Sequence, residues 1–327
     1  MNFTLNILGT ASALPIIDRF PSAQALDVRG RLFLIDCGEG VQMQMRRSGL
    51  SFLKVEAIFI SHIHGDHLFG IFGLLSTMGM LGRTAGLEIY APVGFGPVLQ
   101  FFLSTFGEGI AYEIEHVPLS VTGPELIMDR KFIRAYAFPL NHKTDTYGFL
   151  FRETEPPLNV RKDAIARYGL SLKEICSAKG GEDIIRPAGA LQEPSAANGF
   201  QTFSGTDEPL VIPNGELTYI PYEPRSYAYC SDTAPFPELP GWVSGVDLLY
   251  HEATYPSEMA EKAALRYHST AAQAAACALE AGVGKLLIGH YSSKYPDLGI
   301  FLDEARSIFP ETCLARDNDV FEIPLKK

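Results

Sequence analysis

An α/β fold with its chemistry at strand ends is predicted by three observations. Apolar, β-like runs close repeatedly on His or Asp; a small-residue apolar stretch of helical length follows the densest of these; and a capped, alanine-rich helix stands near the C-terminus. At 327 residues and 46% hydrophobic content, the chain can bury the core of one large α/β domain or two smaller ones.

Residues 3–8 read as a first strand, followed by a Gly/Ala/Ser/Pro loop over 9–15, and by strands over 23–28 and 32–35 separated by a turn at Gly30. A fourth apolar run, residues 55–60, leads into Ser61-His62-Ile63-His64-Gly65-Asp66-His67. In extended backbone alternate side chains share a face, so His62 and His64 can grip one cation, while Asp66 and His67, past the Gly65 bend, turn toward a second. Neutral imidazole and carboxylate suit zinc, manganese or iron. The absence of Cys from the run favours an open catalytic site over a closed structural zinc knuckle.

Residues 68–80 then read as a buried helix and 87–91 as a strand. Residues 132–138 form a strand that ends in Pro139-Leu140-Asn141-His142. Further strands over 226–231, 247–250 and 285–289 end at Asp232, His251 and His290. Thr270 and Gln273 make a T-x-x-Q capping box for a helix over 271–281, with Gly282 as its stop, which puts His268 just ahead of a helix N-terminus. A lone His at a strand end serves equally well as a hydrogen-bonded structural residue; the joint set is what points to metal. Two metals would take His62, His64 and His142 on one side and Asp66, His67 and His290 on the other, with Asp232 bridging. His251 reads as structural, and His116 receives no role.

Between residues 152 and 224 the texture changes. A mixed-charge amphipathic section over 161–183 precedes a stretch over 187–224 that has many Pro and Gly and no Lys or Arg, which reads as an inserted arm and a flexible acidic loop. With 27 Lys+Arg against 38 Asp+Glu, the net charge of −11 excludes a broad basic nucleic-acid footprint, so any polyanion must be held locally. Five unpaired, widely spaced cysteines point to free thiols and a cytoplasmic location. The N-terminus has no basic n-region of a signal peptide, and the glycine-interrupted uncharged stretch over residues 68–82 is too short to span a membrane.

These residues resemble the metallo-β-lactamase superfamily and, within it, the ribonuclease Z family of tRNA 3′-end processing endonucleases. The resemblance covers nearly the whole chain. It rests on Ser61 to His67, Leu32-Phe33-Leu34-Ile35-Asp36-Cys37-Gly38-Glu39-Gly40, the His142 loop, Tyr229-Cys230-Ser231-Asp232-Thr233, His251-Glu252-Ala253-Thr254, His268-Ser269-Thr270 and Gly289-His290. It implies a four-layer αβ/βα sandwich over residues 1–327, with two zinc ions per subunit at one edge. It also implies a homodimer in which an arm of one subunit, here within residues 152–224, grips precursor tRNA for the other. The 152–186 segment carries seven basic residues (Arg152, Arg161, Lys162, Arg167, Lys173, Lys179, Arg186) against six acidic ones, a balance equally suited to a solvated helical hairpin. The family's P-x-K-x-R-N loop, linked to sensing a CCA end, here runs Pro15-Ile16-Ile17-Asp18-Arg19-Phe20, and Gly169-Leu170-Ser171-Leu172 stands in place of a Gly-Pro pair in the arm.

The implied chemistry is hydrolysis of the phosphodiester 3′ of the discriminator nucleotide by metal-activated hydroxide, leaving a 3′-hydroxyl on the tRNA. Asp66 would orient or deprotonate the water. His268 would act as general acid, with Glu252 offsetting the helix N-terminus that disfavours a charged imidazole. Two rival readings are a broader phosphodiesterase of the same superfamily acting on small or cyclic phosphodiesters, and a non-catalytic RNA-binding scaffold.

Overall fold

A computed structural model describes residues 2–14, 16–187 and 209–326. Two compact units divide the chain: residues 1–154 with 225–324, and residues 155–224 with 325–327.

The first unit opens with β1 (Phe3–Gly9), β2 (Ala23–Val28), β3 (Arg31–Cys37), α1 (Val41–Arg47), β4 (Val55–Phe59), α2 (Gly65–Leu68), α3 (Gly70–Met80), β5 (Leu87–Pro92), α4 (Phe95–Phe106) and β6 (Ile114–Leu119). Three more strands follow, β7 (Glu125–Arg130), β8 (Ile133–Pro139) and β9 (Tyr147–Glu153). The helix expected over 68–80 is two pieces broken at Phe69. Its first turn starts at Gly65, so Asp66 and His67 project from helical rather than extended backbone.

The second unit holds β10 (Asn159–Val160), α5 (Lys162–Tyr168), α6 (Leu172–Lys179), β11 (Ile184–Arg186), β12 (Leu210–Ile212), α7 (Asn214–Leu217) and β13 (Thr218–Tyr219). Its core is Ala164, Leu170, Ala178, Ile184, Ile212 and Leu217. Two expectations need correcting. Arg152 is part of β9, so the inserted segment starts after it. The stretch read as a flexible acidic loop contains ordered structure: β12 pairs antiparallel with β11, and β13 with β10. Residues 188–208 of that stretch, like Pro15, lie outside the described residues.

The chain then returns to the first unit with β14 (Ser226–Cys230), α8 (Leu239–Trp242), β15 (Leu248–Glu252), α9 (Ala260–Arg266), α10 (Ala271–Ala281), β16 (Leu286–Gly289), α11 (Gly299–Ile308), β17 (Thr312–Leu314) and β18 (Val320–Glu322). Two seven-stranded sheets result, in the orders β18-β1-β2-β3-β4-β5-β6 and β17-β16-β15-β14-β9-β8-β7. Each is antiparallel at one end and parallel at the other.

One core lies between the sheets, where Phe33, Phe59 and Tyr90 of the first meet Phe149, Phe151 and Tyr229 of the second. The outer face of the first sheet buries α3 and α4 residues such as Leu74, Leu75 and Phe102, and that of the second buries Ala271, Ala274, Ala275 and Ala278 of α10. The order helix, sheet, sheet, helix is the four-layer sandwich expected. Close backbone approach seats the His run against β3: a Cβ on Gly70 would lie 2.1 Å from the carbonyl oxygen of Gly38. All five cysteines are free. Among the described residues no helix is long and apolar enough to cross a membrane.

Candidate metal centre

The parallel strands of both sheets deliver their C-terminal ends to one edge, the position at which α/β sheets bind ligands. From the first sheet, β4 feeds His62, His64, Asp66 and His67. From the second, the loop after β8 brings His142, β14 brings Asp232, β15 brings Glu252, and β16 brings His290 in a left-handed conformation at φ 59°.

All seven residues predicted as ligands converge. His62, His64, His142 and Asp232 offer ligand atoms within 4.8 Å of one another, and so do Asp66, His67 and His290. Asp232 reaches toward both groups with separate oxygens. Its Oδ1 lies 3.2 Å from His290 Nε2 and 3.5 Å from His67 Nε2, whereas its Oδ2 lies 3.7 Å from His62 Nε2 and 4.0 Å from His142 Nε2. Asp66 Oδ2 is 3.4 Å from His67 Nε2 and 3.5 Å from His290 Nε2.

The outward nitrogens of four of these five imidazoles are pinned, which fixes the inward ones as lone-pair donors. His67 Nδ1 donates to Asp36 Oδ2 at 2.7 Å, and His142 Nδ1 to the Tyr267 carbonyl at 2.9 Å. Thr254 gives its hydroxyl proton to Glu252 Oε2 at 2.6 Å, so it accepts from His290 Nδ1 at 2.9 Å. By the same logic Ser61, donating to Asp36 at 2.8 Å, accepts from His62 Nδ1 at 3.0 Å.

Several observations fit a pair of cations here. His62 Nε2 and His64 Nδ1 face each other at 2.9 Å, and His67 Nε2 and His290 Nε2 at 3.3 Å, so lone pairs or N–H groups converge with little between them. Asp232 Oδ1 and His142 Nε2 are buried without a hydrogen-bond partner. Burial, reinforced by neighbouring imidazoles, holds His62 and His64 below the ordinary histidine range, and burial does the same for His142; neutral rings are the coordinating form. Burial would also lower His67, but Asp232, Asp66 and Asp36 override it and raise it well above that range, a sign of anionic excess around one imidazole. Burial would raise Asp66, yet the charge of His67 and hydrogen bonds from His290 and His67 hold it well below the usual carboxylate range.

His268 and Glu252 form a second arrangement beside these groups. Glu252 is fully buried and accepts four hydrogen bonds, from Thr233 N and His268 Nδ1 on Oε1 and from Thr254 N and Oγ1 on Oε2. Burial lowers an imidazole, but the Glu252 carboxylate, 2.8 Å away, pushes His268 up to about 9. Burial in turn raises a carboxyl, but the charge of His268 holds Glu252 at about 2. With Nδ1 so engaged, Nε2 of His268 is the nitrogen free to donate.

β15 extends one residue past the predicted end, and its alternation separates the neighbours His251 and Glu252 onto opposite faces. His251 donates from Nδ1 to the Glu252 carbonyl at 2.7 Å and lines a separate hollow with Phe236 and Cys277. His116, on β6, contacts the Ala91 carbonyl and the edge of Phe95. The site residue that sequence reasoning missed is Asp36. It is fully buried at φ 55° and takes hydrogen bonds from Ser61 N, Ser61 Oγ, His67 and Tyr229. A carboxylate ending an apolar run was the available signal.

A cleft of about 440 Å³ opens over the centre, lined among others by His64, Asp66, His142, Asp232, His268 and His290.

The family model described as "Anti-Pycsar protein Apyc1" matches residues 3–93. Ribonuclease Z of Bacteroides thetaiotaomicron is 42% identical over 320 residues, which is 97% of this chain and 94% of that one. Ribonuclease Z of Bacteroides fragilis is 42% identical over 316 residues, 97% of each chain. Among solved structures, human tRNase Z, short form, superposes with a TM-score of 0.66 at 24% identity, covering 98% of this chain and 99% of that one.

Proposed function

The chain belongs to the ribonuclease Z family, and from that premise we propose that it is a zinc-dependent endoribonuclease that removes the 3′ trailer from precursor tRNA. The observation that carries this reading is the convergence of seven metal-competent side chains, shared between two groups by the split oxygens of Asp232, beside an imidazole with a carboxylate at its back.

His62, His64, His142 and Asp232 would hold one ion, and Asp66, His67, His290 and Asp232 the other. The donor set of imidazole and carboxylate favours zinc, with manganese or iron as substitutes. When bound, such ions would neutralise phosphate charge and acidify water.

The chain's own groups do the rest. Asp66 remains an acceptor at neutral pH, which suits orienting the attacking water more than storing its proton. As water attacks phosphorus and the bond to the 3′ oxygen breaks, that oxygen needs a proton. His268 gives one from Nε2, leaving a 3′-hydroxyl on the tRNA and the phosphate on the trailer. Glu252 is a positioning residue, keeping the ring charged and turned.

Arg161 over the Tyr219 ring (5.6 Å) and Arg167 over the Tyr168 ring (5.2 Å) give the second unit cation–aromatic pairs suited to gripping RNA. A second copy of the chain would cover the apolar end of α4, where Phe101 and Phe106 are 64% and 60% exposed. Free cysteines accord with a reducing, cytoplasmic setting.

Incubation of the metal-loaded protein with a 3′-extended precursor tRNA should yield one cut after the discriminator nucleotide, abolished by chelator. Hydrolysis of a small phosphodiester with no cut in the precursor would overturn the assignment. Light scattering should give a two-chain mass, reduced to one chain by Phe101→Glu with Phe106→Glu; a monomeric parent protein would rule out the pairing.

A further inference from the structure

The cleft over the metal centre has a rim unlike the rest of the chain. In a protein of net charge −11, its lining includes Lys143, Lys262, Arg266 and Lys294, while among the described residues the lining carboxylates are Asp66 and Asp232 at the floor. Lys262 and Arg266 lie four residues apart on α9 and so share a helix face. Lys262 stands close enough to Lys294 that like-charge repulsion holds its amine below the ordinary lysine range. Two cations kept together with no ion pair to either among the described residues are a poor arrangement for stability and a good one for a polyanion.

Aromatic rings accompany these cations. Lys262 lies 5.3 Å from the Tyr255 ring and Lys143 lies 6.0 Å from the Tyr267 ring. Tyr267 ends α9 in a left-handed conformation, φ 59°, which a bulky residue rarely adopts and Gly accepts freely. The task its backbone performs, accepting a hydrogen bond from His142, needs only a carbonyl. The residue is nonetheless 40% exposed, and its ring lies beside Lys143, which lines the cleft, so the strain retains an aromatic face next to the cleft rather than a contact in the core.

We propose that this rim is a binding track for single-stranded RNA flanking the reacting phosphate, with Lys262, Arg266 and Lys294 taking backbone phosphates and Tyr267 stacking on a base. The inference rests on the nuclease reading for which strand is cut, but not for whether a strand binds. It also separates polynucleotides from small phosphodiesters, which cover the floor without reaching the rim.

The test is fluorescence anisotropy of a labelled 12-nucleotide single-stranded oligoribonucleotide with the metal-loaded protein across a salt series, alongside hydrolysis of bis(p-nitrophenyl) phosphate. Lys262→Ala with Lys294→Ala should weaken binding about tenfold and reduce the slope of log affinity against log salt by about 1.4. Tyr267→Gly should weaken binding by about five- to tenfold, leave the salt slope alone and not lower the thermal midpoint, whereas Tyr267→Phe should bind like the parent. The lysine variant should hydrolyse the small ester at the parent rate. Unchanged affinity and slope in both the lysine and the tyrosine variants, or no binding by the parent protein at low salt, would overturn the track. A parent protein that cuts precursor tRNA while its rim variants bind normally loses this inference alone; one that binds through the rim but never cuts loses the nuclease reading alone.

Discussion

Two buried carboxylate–imidazole pairs flank the same edge of the molecule, one from each sheet, and their lengths are nearly equal: Asp36 to His67 at 2.7 Å and Glu252 to His268 at 2.8 Å. Each carboxylate accepts four hydrogen bonds, and each imidazole is engaged through Nδ1. What differs is the far side of the ring. Nε2 of His67 is fully enclosed between Asp66 and Asp232, where a cation belongs. The His268 side chain is 16% exposed and lines the cleft, and the Asp232 oxygen nearest to it lies 4.0 Å from Nδ1, on the Glu252 side of the ring. In the proposed mechanism the first dyad would serve as a metal ligand and the second as an acid; surroundings, not the pair itself, would assign the role.

The largest effect comes from removing what both dyads face. Asp232→Ala deletes the carboxylate whose two oxygens serve the two groups, and activity on a small phosphodiester should fall by about 10³-fold or more as bound metal is lost. Elemental analysis checks it; a variant that keeps both ions refutes the bridge.

Next in size is Glu252→Gln, which should cut kcat on precursor tRNA by about 10²-fold while metal content stays at the parent level. The sign of its pH effect follows from the pair. Glu252 raises His268, so the acid form persists to higher pH and the rate falls as pH rises through the raised value. Loss of the carboxylate charge should move that alkaline fall to lower pH. A linkage with sulfur as the leaving atom departs without a proton and should restore cleavage by His268→Ala; no restoration would reject the acid role.

Asp36→Asn sharpens the contrast from the other sheet. It should weaken metal affinity by about 10- to 100-fold, read by chelator competition, and leave the alkaline limb at saturating metal where it was. Because Asp36 also caps the Ser61 backbone and Tyr229 within the core, unfolding should be easier by about 2 kcal/mol. A shifted limb with normal metal affinity would mean that the two dyads are interchangeable.

This contrast explains what was legible in the sequence. The first sheet concentrates four metal-competent side chains in Ser61 to His67, so spacing alone marks them as candidates, and the strand ends carrying His142, Asp232 and His290 follow once a partner set is sought. Asp36 escaped because its work is done through contacts up to 193 residues distant, which no local pattern encodes. The end of β15 was read one residue short because His251 and Glu252 are both polar, and only the pleat decides which of them faces the site. In the second unit, β11 and β12 are three residues each, too short for a period of two to emerge from a Pro- and Gly-rich stretch. The capping box of Ser171 and Glu174 lay in plain view beside the missing Gly-Pro pair, and α6 starts there.

A third carboxylate–cation pair, outside the site, calibrates the other two. Glu174 meets Arg186 through both oxygens, Oε1 to Nε at 2.8 Å and Oε2 to Nη2 at 3.2 Å, and the Arg186 hydrogen bond holds it at about 2. A carboxyl lowered on folding stabilises above its unfolded pKa of ~4.3, and the contribution is lost as pH falls through the folded value. Since the Glu174 and Arg186 side chains are 22% and 23% exposed, solvent screens them, and Glu174→Gln, which keeps the capping box, should cost under about 1 kcal/mol at neutral pH. Hydrogen exchange of the α6 amides should report that difference at pH 7, its shrinkage as pH falls from ~4 toward ~2, and its loss at high salt. A cost as large as that of Asp36→Asn, or one indifferent to pH and salt, would mean that burial is not what separates the working dyads from an ordinary surface pair.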